Sequence, residues 1–233
     1  MRNQNILFNL KLFNFNIMTV TRKLLMSLTG LFLCFFLLIH FLGNTQLFLP
    51  PSEAQQSFNW YSHFLTGNIF IKIVSYVLYL SILLHAVYAW IITAKNKKAG
   101  GNYKQDARGR SSKWSSRNMG FLGFIILIFL VLHFQNFWYV YKFGSIGLDP
   151  WGNKDLYTVV VTAFQQGWLV AIYVVAMIAL GYHLAHGISS GIRTLGLFNP
   201  KFVRWVQYLG VAYAVLICLG FALMPIYIFF TSK

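Results

Sequence analysis

Five stretches of the chain, at about 23–48, 68–94, 118–141, 157–190 and 202–230, stay apolar for longer than the roughly 18 residues that cross the hydrocarbon core of a bilayer. Of the 233 residues, 58% are hydrophobic and 10% charged, the composition of an integral membrane protein rather than a soluble domain. Backbone polar groups in lipid must be satisfied within a helix or around a closed barrel. The stretches show no strand-like alternation, so the expectation is an all-α membrane protein: a single bundle of five transmembrane helices over residues 21–233, preceded by an arm at 1–20.

Basic residues set the expected orientation. The segment from Lys95 to Arg117 holds Lys95, Lys97, Lys98, Lys104, Arg108, Arg110, Lys113 and Arg117 against one acid, Asp106, which marks it as cytoplasmic. The arm (Arg2, Lys11, Arg22, Lys23) and the segment with Arg193, Lys201 and Arg204 fall on the same side, and Glu53, Asp149 and Asp155 on the other. The N-terminus is then cytoplasmic and the C-terminus outside. A net charge of +15 raises nucleic acid as a partner, but basic residues confined to one side of an apolar bundle fit anionic lipid headgroups, or a docked acidic protein, better. No cleavable leader precedes the first span, and Met18 is as sensible a translation start as Met1.

Four histidines, His40, His85, His133 and His183, lie one each in the first four spans. Spans one and three run outward: His40 is sixteen residues past Leu24 and His133 fourteen past Met119, or about 24 and 21 Å from the cytoplasmic edge at the helical rise. Spans two and four run back, with His85 nine residues before Ala94 and His183 eight before Gly191, about 12–14 Å from that edge. The depths pair His40 with His133 and His85 with His183. A lone membrane histidine is most simply an interhelical hydrogen-bonding group. Four on four helices at two depths suggest two bis-histidine haem sites, six-coordinate and suited to electron transfer.

Other residues constrain the chemistry. His186 lies one turn from His183 and is an alternative inner ligand, while His63 falls in the loop after span one. Gly120, Gly123, Gly187 and Gly191 have the small-residue spacing of close helix packing. Cys34 and Cys218 stand apart, without a C-x-x-C-H motif for covalent haem, and read as core residues. All four acids are expected in loops, so a membrane proton path made of carboxylates has no residues to use. There is no Ser-His-Asp set, P-loop or dinucleotide fingerprint, and any redox work belongs to cofactors that the chain positions.

The stretches Arg22-Lys23-Leu24-Leu25-Met26-Ser27-Leu28-Thr29-Gly30, His40-Phe41-Leu42-Gly43-Asn44, His133-Phe134-Gln135-Asn136-Phe137-Trp138 and His183-Leu184-Ala185-His186-Gly187 resemble the dihaem cytochrome b subunit of succinate dehydrogenases and quinol:fumarate reductases. The likeness runs from about Thr19 to Phe230. It implies a five-helix membrane anchor for a flavoprotein and an iron-sulfur subunit on the cytoplasmic face of a bacterial inner membrane. Such a subunit passes electrons to or from a quinone, generally menaquinone, as part of the respiratory chain and the tricarboxylic acid cycle, and holds no dicarboxylate site itself.

The resemblance further implies two haem b groups, a proximal one on His85 and His183 and a distal one on His40 and His133. The H-x-x-x-G spacing to Gly187 favours His183 over His186. Ser27, Trp114, Arg117 and Arg193 are candidates for the propionates of the inner haem. The quinone is implied near the distal haem, where Asn44, Gln46, Trp60, Tyr61, His63, Gln135 and Asn136 are polar or aromatic candidates, although Asn44 and Gln46 also suit the capping of a helix end. Some relatives carry a glutamate just before the histidine of helix four, where this chain has Gly181 and Tyr182. Two alternatives stand beside this reading: another dihaem b-type quinol oxidoreductase subunit, as in nitrate reductases, and a transporter or assembly protein without haem.

Overall fold

A computed structural model describes residues 20–96, 114–197, 199 and 202–232, with helix backbone continuing to Arg2 at one end and to Ala99 at another. The side chains of residues 1–19 and the segment 97–113, with most of the basic cluster and Asp106, lie outside the described residues, as does Lys201. In chain order the helices are α1 (Arg2–Asn44), α2 (Pro51–Gly67), α3 (Ile69–Ala99), α4 (Trp114–Arg117), α5 (Met119–His133), α6 (Val140–Phe143), α7 (Leu156–Phe164), α8 (Gly167–Thr194) and α9 (Val203–Thr231). Five stretches are long and apolar enough to cross a membrane: Val20–Phe48, Ile69–Asn96, Met119–Phe143, Gly167–Thr194 and Val203–Thr231. Among the described residues the only strand-like feature is one bridge between Leu148 and Lys154.

The bundle centres on α8. It packs against α9, α5 and α1, and α1 also packs on α3. Between α8 and α9 lies a core of Ala176, Met177, Leu180, Leu184, Ala214 and Cys218, in which the small Ala176, Ala214 and Cys218 let the two helices approach closely. A second core, of Leu47, Phe58, Val160, Phe164, Leu169, Val170, Tyr173 and Ile228, closes the end of the bundle that carries α2, here called the outer end. On the outside the order of a soluble protein is reversed. Phe70, Tyr76 and Trp90 of α3 are each more than 70% exposed, an apolar belt that only lipid covers favourably.

The fourth span differs from the sequence expectation of 157–190. Asp155 caps a separate short helix, α7, by accepting from the Thr158 amide, and α7 stops at Gln165 and Gln166, the latter extended at ψ 103°. The Gln165 side chain donates to the Ile228 carbonyl, so the break is held in place. The membrane-crossing helix then starts at Gly167. The loop expected after span one is also structured. Pro51 at the first helical position and Glu53 in the first turn start α2. Asn68 begins α3 by accepting from the amides of Phe70 and Ile71. Glu53 is thus in a helix, not a loop, and His63 is exposed on α2.

The basic residues are not confined to one side. Lys72, Lys142 and Lys154 stand at the outer end, and Lys154 donates to the Tyr141 carbonyl while its ammonium lies 5.2 Å from the Tyr141 ring. Beside them is a polar lock. Asn59, fully buried, donates to Asp149 (3.1 Å) and Asp155 (2.9 Å) and accepts from the Tyr157 amide (2.8 Å). Gln55 adds a 2.8 Å bond to Asp155. These contacts tie α2 to the start of α7 across the outer end.

Burial acts to raise the Asp155 carboxyl, but bonds from Thr158, Asn59 and Gln55 outweigh it and hold the group below its ordinary range. A depressed folded-state pKa adds stability that is present above the unfolded value of about 3.9 and lost as pH falls through the folded value. Asn59→Ala should therefore lower stability by about 2–3 kcal/mol, from three buried hydrogen bonds at roughly 1 kcal/mol each. Thermal melts in detergent should show this loss, and a shallower decline below about pH 4 in Asp155→Asn than in wild type.

Candidate cofactor-binding site

Two pairs of imidazoles face each other inside the bundle, each ring contributed by a different helix. His40 of α1 and His133 at the end of α5 have ring centres 5.7 Å apart with planes at 87°. His85 of α3 and His183 of α8 are 6.2 Å apart at 64°. The ring that meets His85 is that of His183, the inner ligand favoured from the sequence. A metal–imidazole bond of about 2.0 Å, with the ring centre roughly 1.1 Å behind its nitrogen, puts two trans imidazoles about 6 Å apart centre to centre. Both pairs are near that separation.

The two sites have different walls. The outer pair is lined with aromatic rings: Phe36 stacks on His40 (5.3 Å, 15°), Phe221 tilts against it (5.4 Å), and Phe129 and Phe137 flank His133. Directly after His133 the helix widens into a π turn, Phe134–Tyr139, an insertion frequent at functional sites. At the inner pair the wall is backbone. A Cβ on Gly30 would lie 3.1 Å from Cε1 of His85, and one on Gly123 3.8 Å from Cε1 of His183. Gly120 is likewise pressed by Thr93 and Gly191 approached by Leu31, whereas nothing stands near Gly187.

Hydrogen bonds define which nitrogen of His85 is available. The Thr29 hydroxyl donates its single proton to a backbone carbonyl, Leu25 at 2.7 Å with Met26 at 3.2 Å. Its oxygen is also 3.3 Å from Nδ1 of His85. With that proton committed, the imidazole is the donor in this contact, and the Met26 carbonyl is a second acceptor for the ring; a hydrogen on Nδ1 leaves the lone pair on Nε2. His133 has a similar neighbour, the Tyr173 hydroxyl at 3.3 Å from Nδ1, and Asn136 of the π turn also bonds that hydroxyl. The Asn44 amide nitrogen donates one hydrogen to the His40 carbonyl at 2.7 Å and lies 3.4 Å from Nδ1 of His40, toward which its second hydrogen is a donor. The buried Nδ1 of His183 has no hydrogen-bond partner.

These features fit a metal-centred group that each pair of rings would hold between them. The ring separations leave room for one metal centre, a hydrogen on Nδ1 would leave the His85 lone pair on Nε2, and Gly30 lets the α1 backbone pack close against that ring. The four suggested propionate partners are all at the inner end. Ser27 is buried, and its hydroxyl donates to the Lys23 carbonyl. Trp114 is half exposed and its ring meets Tyr182, beside His183. Arg117 ends α4 and Arg193 lies in the last turn of α8, both engaged by neighbours.

The suggested quinone contacts do not converge on one cavity. Asn44 and Gln46 bond the carbonyls of His40 and Gly43 and so finish α1. Tyr61 lays its ring over Gly43, near the outer pair, where burial pushes its phenol up. Trp60 stacks on Phe64 and faces outward with His63, and Gln135 is exposed on the π turn. Trp60 also lines an outer cavity of about 520 Å³ with Glu53, Gln56, Trp151 and Asn153. Sequence reasoning missed Thr29 and Tyr173. Thr29 lies within the quoted stretch beside Gly30, but its partner is on another helix; Tyr173 carries no motif.

No family model, curated protein or solved structure matches the chain.

Gly30→Ala should crowd His85 and shift its ring, while Gly123→Ala, at an ordinary van der Waals distance from His183, should be tolerated. Imidazole ¹⁵N spectra of the two variants should show a changed His85 environment only in the first, and a stability loss of about 1–3 kcal/mol confined to it.

Proposed function

We propose that this chain is the membrane-anchor cytochrome b subunit of a succinate:quinone or quinol:fumarate oxidoreductase. The observation that carries the reading is the meeting of four histidines from four helices as two pairs, each near the trans-imidazole separation. A purely structural role accounts for one such contact, but it gives no reason for two pairs, one walled by aromatic rings and the other by glycines.

In this reading His40 and His133 hold the distal haem b iron and His85 and His183 the proximal one. Bound there, the haems would supply one-electron transfer without an open coordination position. The protein's own part is to orient the rings, exclude water with Phe36, Phe129 and Phe221, and keep the two sites at a fixed offset. Ser27, Trp114, Arg117 and Arg193 stand at the inner end as hydrogen-bonding and cationic partners for propionates. The basic segments at that end form the docking face for the flavoprotein and iron-sulfur subunits at the cytoplasmic surface. Quinone, in the menaquinone class by resemblance, is taken up at the outer end, where Asn44, Trp60, Tyr61, His63 and Gln135 are found.

Among the described residues Glu53, Asp149 and Asp155 all belong to the outer end, so no carboxylate is available midway to relay protons. Electron flow is then uncompensated by a glutamate-type proton route. In vesicles, proton translocation sensitive to a carboxylate reagent would contradict this.

The decisive test is haem b per chain in the detergent-purified complex, by pyridine haemochrome, with co-purifying subunits resolved on a gel. The expected result is about two haems, falling to about one in His133→Ala and one in His85→Ala, with a flavoprotein and an iron-sulfur protein retained. A wild-type chain without haem would defeat the proposal.

A further inference from the structure

We propose that Thr29 and Tyr173 are positioning residues, one for each histidine pair: each receives the Nδ1–H of one imidazole, so that His85 and His133 have a hydrogen-bond acceptor on that nitrogen while His183 and His40 do not. The inference rests on the haem reading above and adds an asymmetry within each site.

The geometry supplies the argument. Thr29 can act toward His85 only as an acceptor, because its proton is held by the carbonyls of Leu25 and Met26, and it shares that role with the Met26 carbonyl, which also bonds the His85 ring. Tyr173 is buried, and its ring is clamped by Phe129 (4.9 Å) and Phe164 (5.0 Å), so the position of its oxygen, 3.3 Å from Nδ1 of His133, is set by packing. When Nε2 of His133 is a ligand, Nδ1 carries the hydrogen and Tyr173 must accept it. Neither partner histidine has an equivalent acceptor. His183 Nδ1 has no hydrogen-bond partner, and His40 faces an amide nitrogen, which is a donor.

An acceptor on the distal nitrogen fixes the ring and makes the ligating nitrogen more basic, which favours the ferric state and lowers the reduction potential. Removing the acceptor should therefore raise the potential of one haem and leave the other unchanged. Only the difference in strength of the bond between the ferric and ferrous states counts, so the whole of one hydrogen bond sets an upper limit of about a tenfold change in that equilibrium, or roughly 60 mV for a one-electron couple.

The test is a spectroelectrochemical titration of the purified complex carrying Tyr173→Phe, Thr29→Val or Thr29→Ser. Each change preserves most of the side-chain shape. Tyr173→Phe should raise only the potential of the haem that His133→Ala removes, and Thr29→Val only that of the haem that His85→Ala removes. Thr29→Ser, which retains the hydroxyl, should remain at the wild-type value. Unchanged potentials in both variants, or equal shifts of both haems in each, would overturn the proposal. Absence of haem from the wild type would defeat the functional reading separately. In that event ¹⁵N imidazole spectra still test the geometry: His85 should be the Nδ1–H tautomer in wild type and lose that preference in Thr29→Val, and no difference between the two would overturn the role of Thr29.

Discussion

A backbone amide in hydrocarbon has no water to bond, and this constraint organises the whole chain. It forces the apolar stretches to be helices and tolerates irregular backbone only where other protein groups satisfy it. The interruption between α7 and α8 obeys that rule. It comes at the outer end, where Gln165 bonds the Ile228 carbonyl and Gln166 supplies the first carbonyl to the turn that starts α8. The π turn after His133 obeys it too, since the helix widens there without losing its internal bonds.

Because helix–helix association in lipid gains little from hydrophobic burial, contact depends on small residues and a few polar bonds. The core between α8 and α9 has both. Ala176 and Ala214 let the helices close, and Tyr213 reaches across to donate to the Cys34 carbonyl of α1. The polar lock of Asn59, Asp149 and Asp155 does equivalent work at the outer end, where access to water makes charged groups affordable. A fixed bundle is a precondition for the paired histidines, whose ring separations would otherwise drift with every change in helix register.

The five spans and the pairing of the histidines were legible because both follow from apolar length and a constant rise per residue. At 1.5 Å per residue an error of two residues moves a histidine by only about 3 Å, less than the offset between levels. The division of 157–190 was not legible, since Val159, Val160 and Val161 of α7 are as apolar as a membrane helix and the stop depends on Asp155 and a distant carbonyl. The helix at Pro51–Gly67 was hidden for the opposite reason: its polar face, with Gln55 and Asn59, is satisfied by residues about a hundred positions away. Thr29 and Tyr173 were concealed in the same way, each acting on a histidine of a different helix.

Near the inner end Gly30 brings α1 backbone up to the His85 ring, so the position of that ring depends on the distance between two helices. At the outer end side chains fill the same role, and the His133 ring depends on the packing of Phe129, Phe137 and Tyr173. Backbone contact leaves no rotamer to adjust, whereas an aromatic wall can repack by small ring movements. The inner pair is therefore the more constrained of the two, and the outer pair is better able to repack around a change in its surroundings.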